Sequence, residues 1–186
     1  MDLDADQQEV MAVLEAYKVV KDASWPELHP AMAGRAAGWA QASAEELRAE
    51  LAGYVRELSQ PGCPVRLFWK IGHDFVFAGC NDHFARDAGM SKAADLIGLT
   101  DFSDRVPWRA QAAKYRFDDQ SVTHSGQPQL GILERQHSAS GTVWVLVGKA
   151  PIRSASGQVI GILGMYQQLE KKVAEKMFAE RARVGS

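Results

Sequence analysis

The spacing of apolar residues changes character about a third of the way along the chain. In the first part, apolar residues recur at three- and four-residue intervals, which predicts an amphipathic helix. These residues are Val10, Val13, Leu14 and Tyr17. Two prolines and a glycine within residues 61–64 end this pattern, because proline lacks the amide hydrogen that a helix needs. We therefore predict an N-terminal helical extension over residues 1–62.

Beyond that break, the pattern favours short strands on either side of a helical segment. The predicted strands are residues 65–71, 75–80, 129–137, 142–150 and 159–166. The predicted helices between the second and third strands are residues 82–88, 92–97 and 107–124. This order predicts an α+β fold, in which five antiparallel strands form one sheet and the helices gather on one face. The boundaries predicted for this domain are residues 63 and 168.

A charged helix is predicted to leave the domain over residues 169–186. Leu169, Val173 and Met177 follow one another at four-residue spacing, which suits pairing with a second helix. Together with the stripe at Val13, Leu14 and Tyr17, they form the predicted dimer and signalling surface. An exit helix that continues the last strand would carry a movement of the sheet away from the domain.

Composition and charge narrow the partners and the compartment. The 186 residues carry a formal net charge of −2 and have a pI near 6.2, which argues against nucleic-acid binding by charge alone. No apolar run approaches the roughly 20 residues of a membrane span, and the acidic start does not resemble a signal peptide. We therefore expect a cytoplasmic protein with no nucleic-acid partner and no membrane partner.

Reactive residue types form few plausible sites. Cys80 and His83 have a spacing that occurs in zinc sites, but no second pair supplies the remaining ligands. No nucleophile, phosphate-binding loop or paired-carboxylate arrangement stands out. The adjacent Asp118 and Asp119 are interpreted as a solvated helix face. No metal site and no catalytic residue are predicted, so the domain is expected to be regulatory and not an enzyme.

Four segments carry a resemblance to a known family. They are FWK…FVFAGCNDHFARDAGM, LIGLTDFSD, YRFDDQSVTHSGQP and GTVWVLVGKAPIRSASGQVIGILGMYQ. Their order and spacing resemble the PAS domain family from about residue 65 to residue 168. Asn81, which follows the second strand, is predicted to start the short helix through a side-chain hydrogen bond.

The resemblance implies a dimeric sensory module ahead of an output domain in the same chain, either a diguanylate cyclase or phosphodiesterase or a histidine kinase. A small ligand is expected between the sheet and the long helix. The predicted pocket residues are Phe77, Tyr115, Val122, Val145, Val147 and Tyr166. The identity of the ligand stays open, and so does a ligand-free interaction module.

Haem and flavin sensors are further alternatives for this fold. Haem-binding members usually ligate iron through a His early in the long helix, and that region has none. Flavin-binding members carry amides on the last strands, where this chain has Val145 and Tyr166. These departures imply a more apolar cavity, in which one phenol orients the guest.

Overall fold

Five antiparallel strands form one sheet, and the structure, a computed structural model, describes residue 56 and residues 59–153 and 158–185. The strands are β1 (Val65–Ile71), β2 (Val76–Cys80), β3 (Gln129–Ser138), β4 (Gly141–Arg153) and β5 (Val159–Leu169). They lie in the order β2-β1-β5-β4-β3. The first and last strands of the domain are therefore neighbours at the centre of the sheet.

Two helices and two 3₁₀ turns connect β2 to β3, and a third helix follows β5. The helices are α1 (Asp82–Asp87), α2 (Ala112–Ser125) and α3 (Lys171–Val184), and the 3₁₀ turns are Ala93–Asp95 and Arg109–Gln111. The main apolar core includes residues of α1, α2 and alternate positions of the strands, such as Phe68, Phe84 and Val147. We call the face of the sheet that packs against this core the inner face. The predicted α+β fold with helices gathered on one face is confirmed.

Several predicted boundaries shift. The predicted helix over residues 92–97 is only a 3₁₀ turn, and the long helix begins at Ala112 after another 3₁₀ turn. Leu169, expected on the exit helix, instead ends β5 because it pairs with Trp144 of β4. Residues 1–55 of the N-terminal extension, with Val13, Leu14 and Tyr17, lie outside the described residues, so the role predicted for them stays a prediction.

Asn81 starts α1 and also joins that helix to β1. Its Oδ1 accepts hydrogen bonds from the backbone N–H of Phe84 at 3.2 Å and of Leu67 at 3.0 Å. Its Nδ2 donates to the backbone oxygen of Val65 at 2.9 Å. The predicted capping role is confirmed, and the same buried amide also fixes α1 against the start of β1.

The exit helix α3 folds back beside the sheet. The Phe178 ring lies 6.0 Å from the Trp144 ring, and Arg181 donates to the backbone oxygen of Gly131 at 2.6 Å. Ala174 is fully buried, whereas Val173 is 48% exposed. The helix is therefore attached to β3 and β4 along one side and leaves an apolar residue uncovered on another.

Candidate functional site

A small cavity lies between the inner face of the sheet and α1, α2 and the segment that joins them. Its volume is about 30 Å³. Its walls are formed by Phe68, Lys70, Phe77, Phe84, Asp101, Trp108, Tyr115, Glu134, Gln136, Val147, Lys149 and Tyr166. The lining combines apolar rings with several polar groups that converge on one place, the combination expected of a ligand site.

Five aromatic rings form one wall, which we call the aromatic cluster. Its members are Phe68, Phe77, Phe84, Trp108 and Tyr166. Phe84 lies at its centre, stacked on Phe68 at a centroid distance of 4.8 Å and tilted against Trp108 at 5.4 Å. Such pairs are worth about 0.5–1.5 kcal/mol each beyond the area they bury. The rings therefore hold one another in place and present flat apolar surfaces to the cavity.

Gly164 of β5 makes room for the aromatic cluster. A Cβ atom at this position would lie 2.2 Å from Cζ of Phe68, which is closer than atoms can approach. Phe68 and Gly164 are directly paired across β1 and β5. The glycine is therefore required by the ring that crosses it.

Two lysines and two aspartates form the opposite, polar part of the site, which we call the ion cluster. Lys70 Nζ lies 2.5 Å from Asp101 Oδ2 and 2.7 Å from Asp119 Oδ2. Lys149 Nζ lies 2.6 Å from the other oxygen of Asp119. All four side chains are almost completely buried. Two positive and two negative charges cancel, so the cluster as a whole is electrically neutral.

Lys70 and Asp119 depend on their partners in the ion cluster to remain charged. Burial alone would lower the pKa of Lys70, but attraction to Asp119 and Asp101 outweighs it, so this pKa is raised. Burial alone would raise the pKa of Asp119, but Lys70 and Lys149 lower it overall. Lys70 and Asp119 therefore stay ionised at neutral pH. Trp108 Nε1 also donates to Asp101 at 2.9 Å, which links the ion cluster to the aromatic cluster.

Tyr166 presents its ring to the cavity and turns its hydroxyl towards protein partners. The hydroxyl donates to Asp87 Oδ2 at 2.7 Å and accepts from Gln136 Nε2 at 3.0 Å. Burial, with the nearby Asp87 carboxylate, raises the pKa of Tyr166. The phenol is therefore engaged, and Lys149 is better placed to orient a guest than the Tyr166 hydroxyl is.

The predicted pocket residues divide into two groups. Phe77, Tyr115, Val147 and Tyr166 line the cavity. Val122 and Val145 are fully buried in the surrounding core but do not line the cavity. In the long helix α2, which contains Val122, one residue in three or four faces the sheet. The packing angle between α2 and the sheet decides which of these residues reach the cavity.

The polar part of the site was missed by sequence reasoning. Asp119, interpreted as a solvated residue, has 0% of its surface exposed and bridges two lysines. A signal existed, because Lys70 and Lys149 interrupt two apolar strands at positions that share a face with core residues. A lysine on a buried strand face needs a buried carboxylate.

Cys80 and His83, the residues considered above as metal ligands, have different surroundings. Cys80 is buried in the apolar core, and His83 Nε2 hydrogen-bonds to the backbone oxygen of Gln60 at 2.8 Å. Within residues 59–153 and 158–185, no group of three or more His, Cys, Asp or Glu is placed to hold a metal ion. In the same ranges, no helix is both long and apolar enough to cross a membrane.

Comparison with known proteins identifies the fold family. A family model described as PAS fold matches residues 64–173, more than half of the chain. The chain belongs to the PAS family. No curated protein sequence matches it significantly. The PAS domain of BvgS from Bordetella pertussis shares the fold, with a TM-score of 0.52 at 16% identity over 74% of this chain and 99% of that one.

The PAS domain is also similar to VqmA. A structure of VqmA bound to DPO has 26% identity and a TM-score of 0.53, covering 63% of this chain and 57% of that one. A Vibrio cholerae VqmA dimer has 25% identity and a TM-score of 0.54, covering 64% of this chain and 52% of that one. The chain thus spans only a little more than half the length of these VqmA chains.

The comparison corrects the prediction of no nucleic-acid partner. The Vibrio cholerae VqmA dimer is described in the absence of its target DNA, with insight into the DNA-binding mechanisms of LuxR-type receptors. The prediction was wrong because a net charge describes only the residues counted, whereas a large part of each VqmA chain lies outside the matched segment.

Proposed function

We propose that this PAS domain is the ligand-sensing module of a receptor, and that its ligand is a small ring compound held in the cavity. The observation that carries the proposal is the pairing of a flat aromatic wall with a buried ammonium. A ring compound can stack on the aromatic cluster. The Lys149 ammonium has three N–H donors, and one of them is hydrogen-bonded to Asp119 at 2.6 Å. A ring oxygen or nitrogen that accepts a hydrogen bond from Lys149 would fix the orientation of the guest.

The volume of the cavity sets a condition on binding. A cavity of about 30 Å³ holds about one or two water molecules, whereas small-molecule sites measure roughly 300–1,000 Å³. A ring can therefore enter only if side chains of the wall rotate or α2 moves outward. This movement is the proposed signal, because it displaces the strands on which the cavity is built.

DPO is the first compound to test, since VqmA binds it. We expect calorimetric titration of the purified chain with DPO to show one binding site and a raised melting temperature. Val147→Phe would fill the cavity and weaken binding at least tenfold. Val184→Phe, at the exposed end of α3, is the matched control and should leave the affinity unchanged. Wild-type protein that shows neither heat of binding nor thermal stabilisation would contradict DPO as the ligand.

Removing the ammonium tests the orientation of the guest. Lys149→Met keeps most of the side-chain volume but removes the donors, so we expect DPO affinity to fall at least tenfold, equivalent to about 1.4 kcal/mol. Lys114→Met is the matched control, because Lys114 is half exposed and pairs with Asp118 and Glu134. Equal affinities of the two variants would overturn the role of Lys149.

A ligand-free interaction module is the second candidate, and the small volume of the cavity favours it. In that case the aromatic cluster only fills the core. Val147→Ile should then stabilise the protein without affecting its interaction with a partner. A protein that no compound of a metabolite panel stabilises would support this candidate. An absorption spectrum of purified protein tests the haem and flavin alternatives, since either group gives strong bands in the visible region.

The proposal also covers the output of the receptor and its oligomeric state. The similarity to VqmA favours DNA binding as the output over the diguanylate cyclase, phosphodiesterase or histidine kinase predicted from the sequence. We further propose a regulatory, non-catalytic homodimer that pairs through α3, where Val173 is exposed and Met177 half-buried. Fusion to a DNA-binding reporter domain, with and without DPO, would measure whether the module controls such an output.

A further inference from the structure

Asp87, at the end of α1, gathers donors from two strands around one buried carboxylate. It is 8% exposed. It accepts hydrogen bonds from Arg66 Nε of β1 at 2.9 Å, from the Tyr166 hydroxyl of β5 at 2.7 Å and from Gln168 Nε2 of β5 at 3.3 Å. A carboxylate has about four acceptor positions, so these donors nearly fill it. A change in one of them must therefore redistribute the others.

This carboxylate connects the cavity to the exit helix. Tyr166 lines the cavity with its ring, and its hydroxyl also accepts from Gln136, another cavity residue on β3. Gln168 follows Tyr166 by two positions, on the same face of β5, and α3 begins three residues later at Lys171. The sequence of contacts Gln136, Tyr166, Asp87, Gln168 leads from the cavity wall to the last residues before the exit helix.

The backbone of Asp87 makes α1 a fixed support for this chain of contacts. Its carbonyl oxygen accepts a hydrogen bond from the N–H of Ala139, in the turn between β3 and β4, at 2.8 Å. The start of the same helix is attached to β1 through Asn81. With both ends of α1 attached, displacement of Tyr166 changes its hydrogen bond to Asp87 before it moves the helix.

We propose that Asp87 is a positioning residue that couples the cavity to the exit helix, by exchanging hydrogen bonds between Tyr166 on the cavity side and Gln168 on the helix side. A ligand that displaces Tyr166 or Gln136 weakens the bond from Tyr166 to Asp87. The carboxylate then binds Gln168 more strongly, and the end of β5 shifts with the first turn of α3. The ligand in this inference rests on the proposed function, but the coupling itself is a property of the free protein.

A double-mutant cycle tests the coupling without a ligand. Gln136→Leu removes the donor at the cavity wall, and Gln168→Leu removes the donor at the end of β5. These residues lie on strands separated by β4, about 10 Å apart across the sheet, so direct contact does not explain coupling between them. We expect the unfolding equilibrium constant of the double variant to differ at least threefold from the value that independent effects predict.

The Tyr166→Phe background distinguishes coupling from a general structural role. This variant keeps the ring in the cavity wall but removes the hydroxyl that joins Gln136 to Asp87. We expect the same cycle to become additive, within about twofold, in this background. A wild-type cycle below threefold, or one that persists unchanged in Tyr166→Phe, would overturn the proposal.

DPO supplies the second test, with hydrogen exchange of the amides of residues 167–175 as the readout. Gln168→Leu should keep DPO affinity within about threefold of the wild type but lose at least half of the DPO-induced change in exchange. Gln167→Leu, whose side chain lies on the opposite face of β5, should retain both. A full response in Gln168→Leu would contradict the coupling. Failure of DPO to bind wild type would count against the proposed ligand alone, because the cycle still decides the role of Asp87.

Discussion

Replacing Asp119 with asparagine is expected to destabilise the domain strongly. The substitution preserves shape but removes one of two negative charges in the ion cluster, which leaves an uncompensated buried positive charge. Lys70 retains Asp101 at 2.5 Å, whereas Lys149 loses its carboxylate partner at 2.6 Å. Breaking a buried ion pair in this way costs about 3–5 kcal/mol, out of a total stability of about 5–15 kcal/mol.

Urea denaturation followed by tryptophan fluorescence measures this loss. With a dependence on urea of about 2 kcal/mol per molar, the midpoint should fall by about 1.5–2.5 M. Asp118→Asn is the matched control, because this neighbouring carboxylate pairs with the half-exposed Lys114 and should contribute at most about 1 kcal/mol.

A compensating double variant separates lost charge balance from lost packing. Asp119→Leu with Lys149→Met removes one charge of each sign, and neutral replacement of a buried pair is often tolerated. We therefore expect most of the stability lost in Asp119→Asn to return. If Asp119→Asn and Asp118→Asn had equal midpoints, the ion cluster would not stabilise the fold and the reasoning would fail.

Three further predictions concern the core, the response to acid and the exit helix. Gly164→Ala should cost about 1–3 kcal/mol, because the new methyl group overlaps Phe68; an unchanged melting temperature would contradict this contact. The lowered pKa of Asp119 means that its stabilisation is present above about pH 4 and is lost as the pH falls further. Urea midpoints between pH 6 and pH 2.5 should therefore fall less steeply in Asp119→Asn than in the wild type, and parallel curves would refute the assignment. Val173→Glu should abolish dimers seen by light scattering, with Lys172→Glu as the exposed control; an unchanged mass would exclude pairing through that surface.

Short apolar runs bounded by turn residues were enough to predict the strands. The central strands β1 and β5 are buried at consecutive positions, so their segments are nearly continuously apolar, and this feature can be read from the local sequence. The capping function of Asn81 was predictable for a similar reason, since a side chain bonds to the backbone three residues away. Local interactions of this kind do not depend on where the remainder of the chain lies.

The 3₁₀ turn near residue 93 and the late start of α2 show the opposite case. Their sequences permit a helix, but short helices gain most of their stability from packing, and packing is not visible in a local pattern. The end of β5 is similar. Leu169 remains in the sheet because Trp144 of β4 extends far enough to pair with it.

The family and the sheet were therefore determined by the sequence alone, through local periodicity and the order of motifs. The chemistry of the site was decided by the tertiary structure. Asp119 lies 49 residues from Lys70 and 30 from Lys149, and nothing near it in the chain indicates that it is buried. Only the crossing of α2 over β1 and β4 brings these charges together, because the cost of burying each one is offset by partners that are distant in sequence.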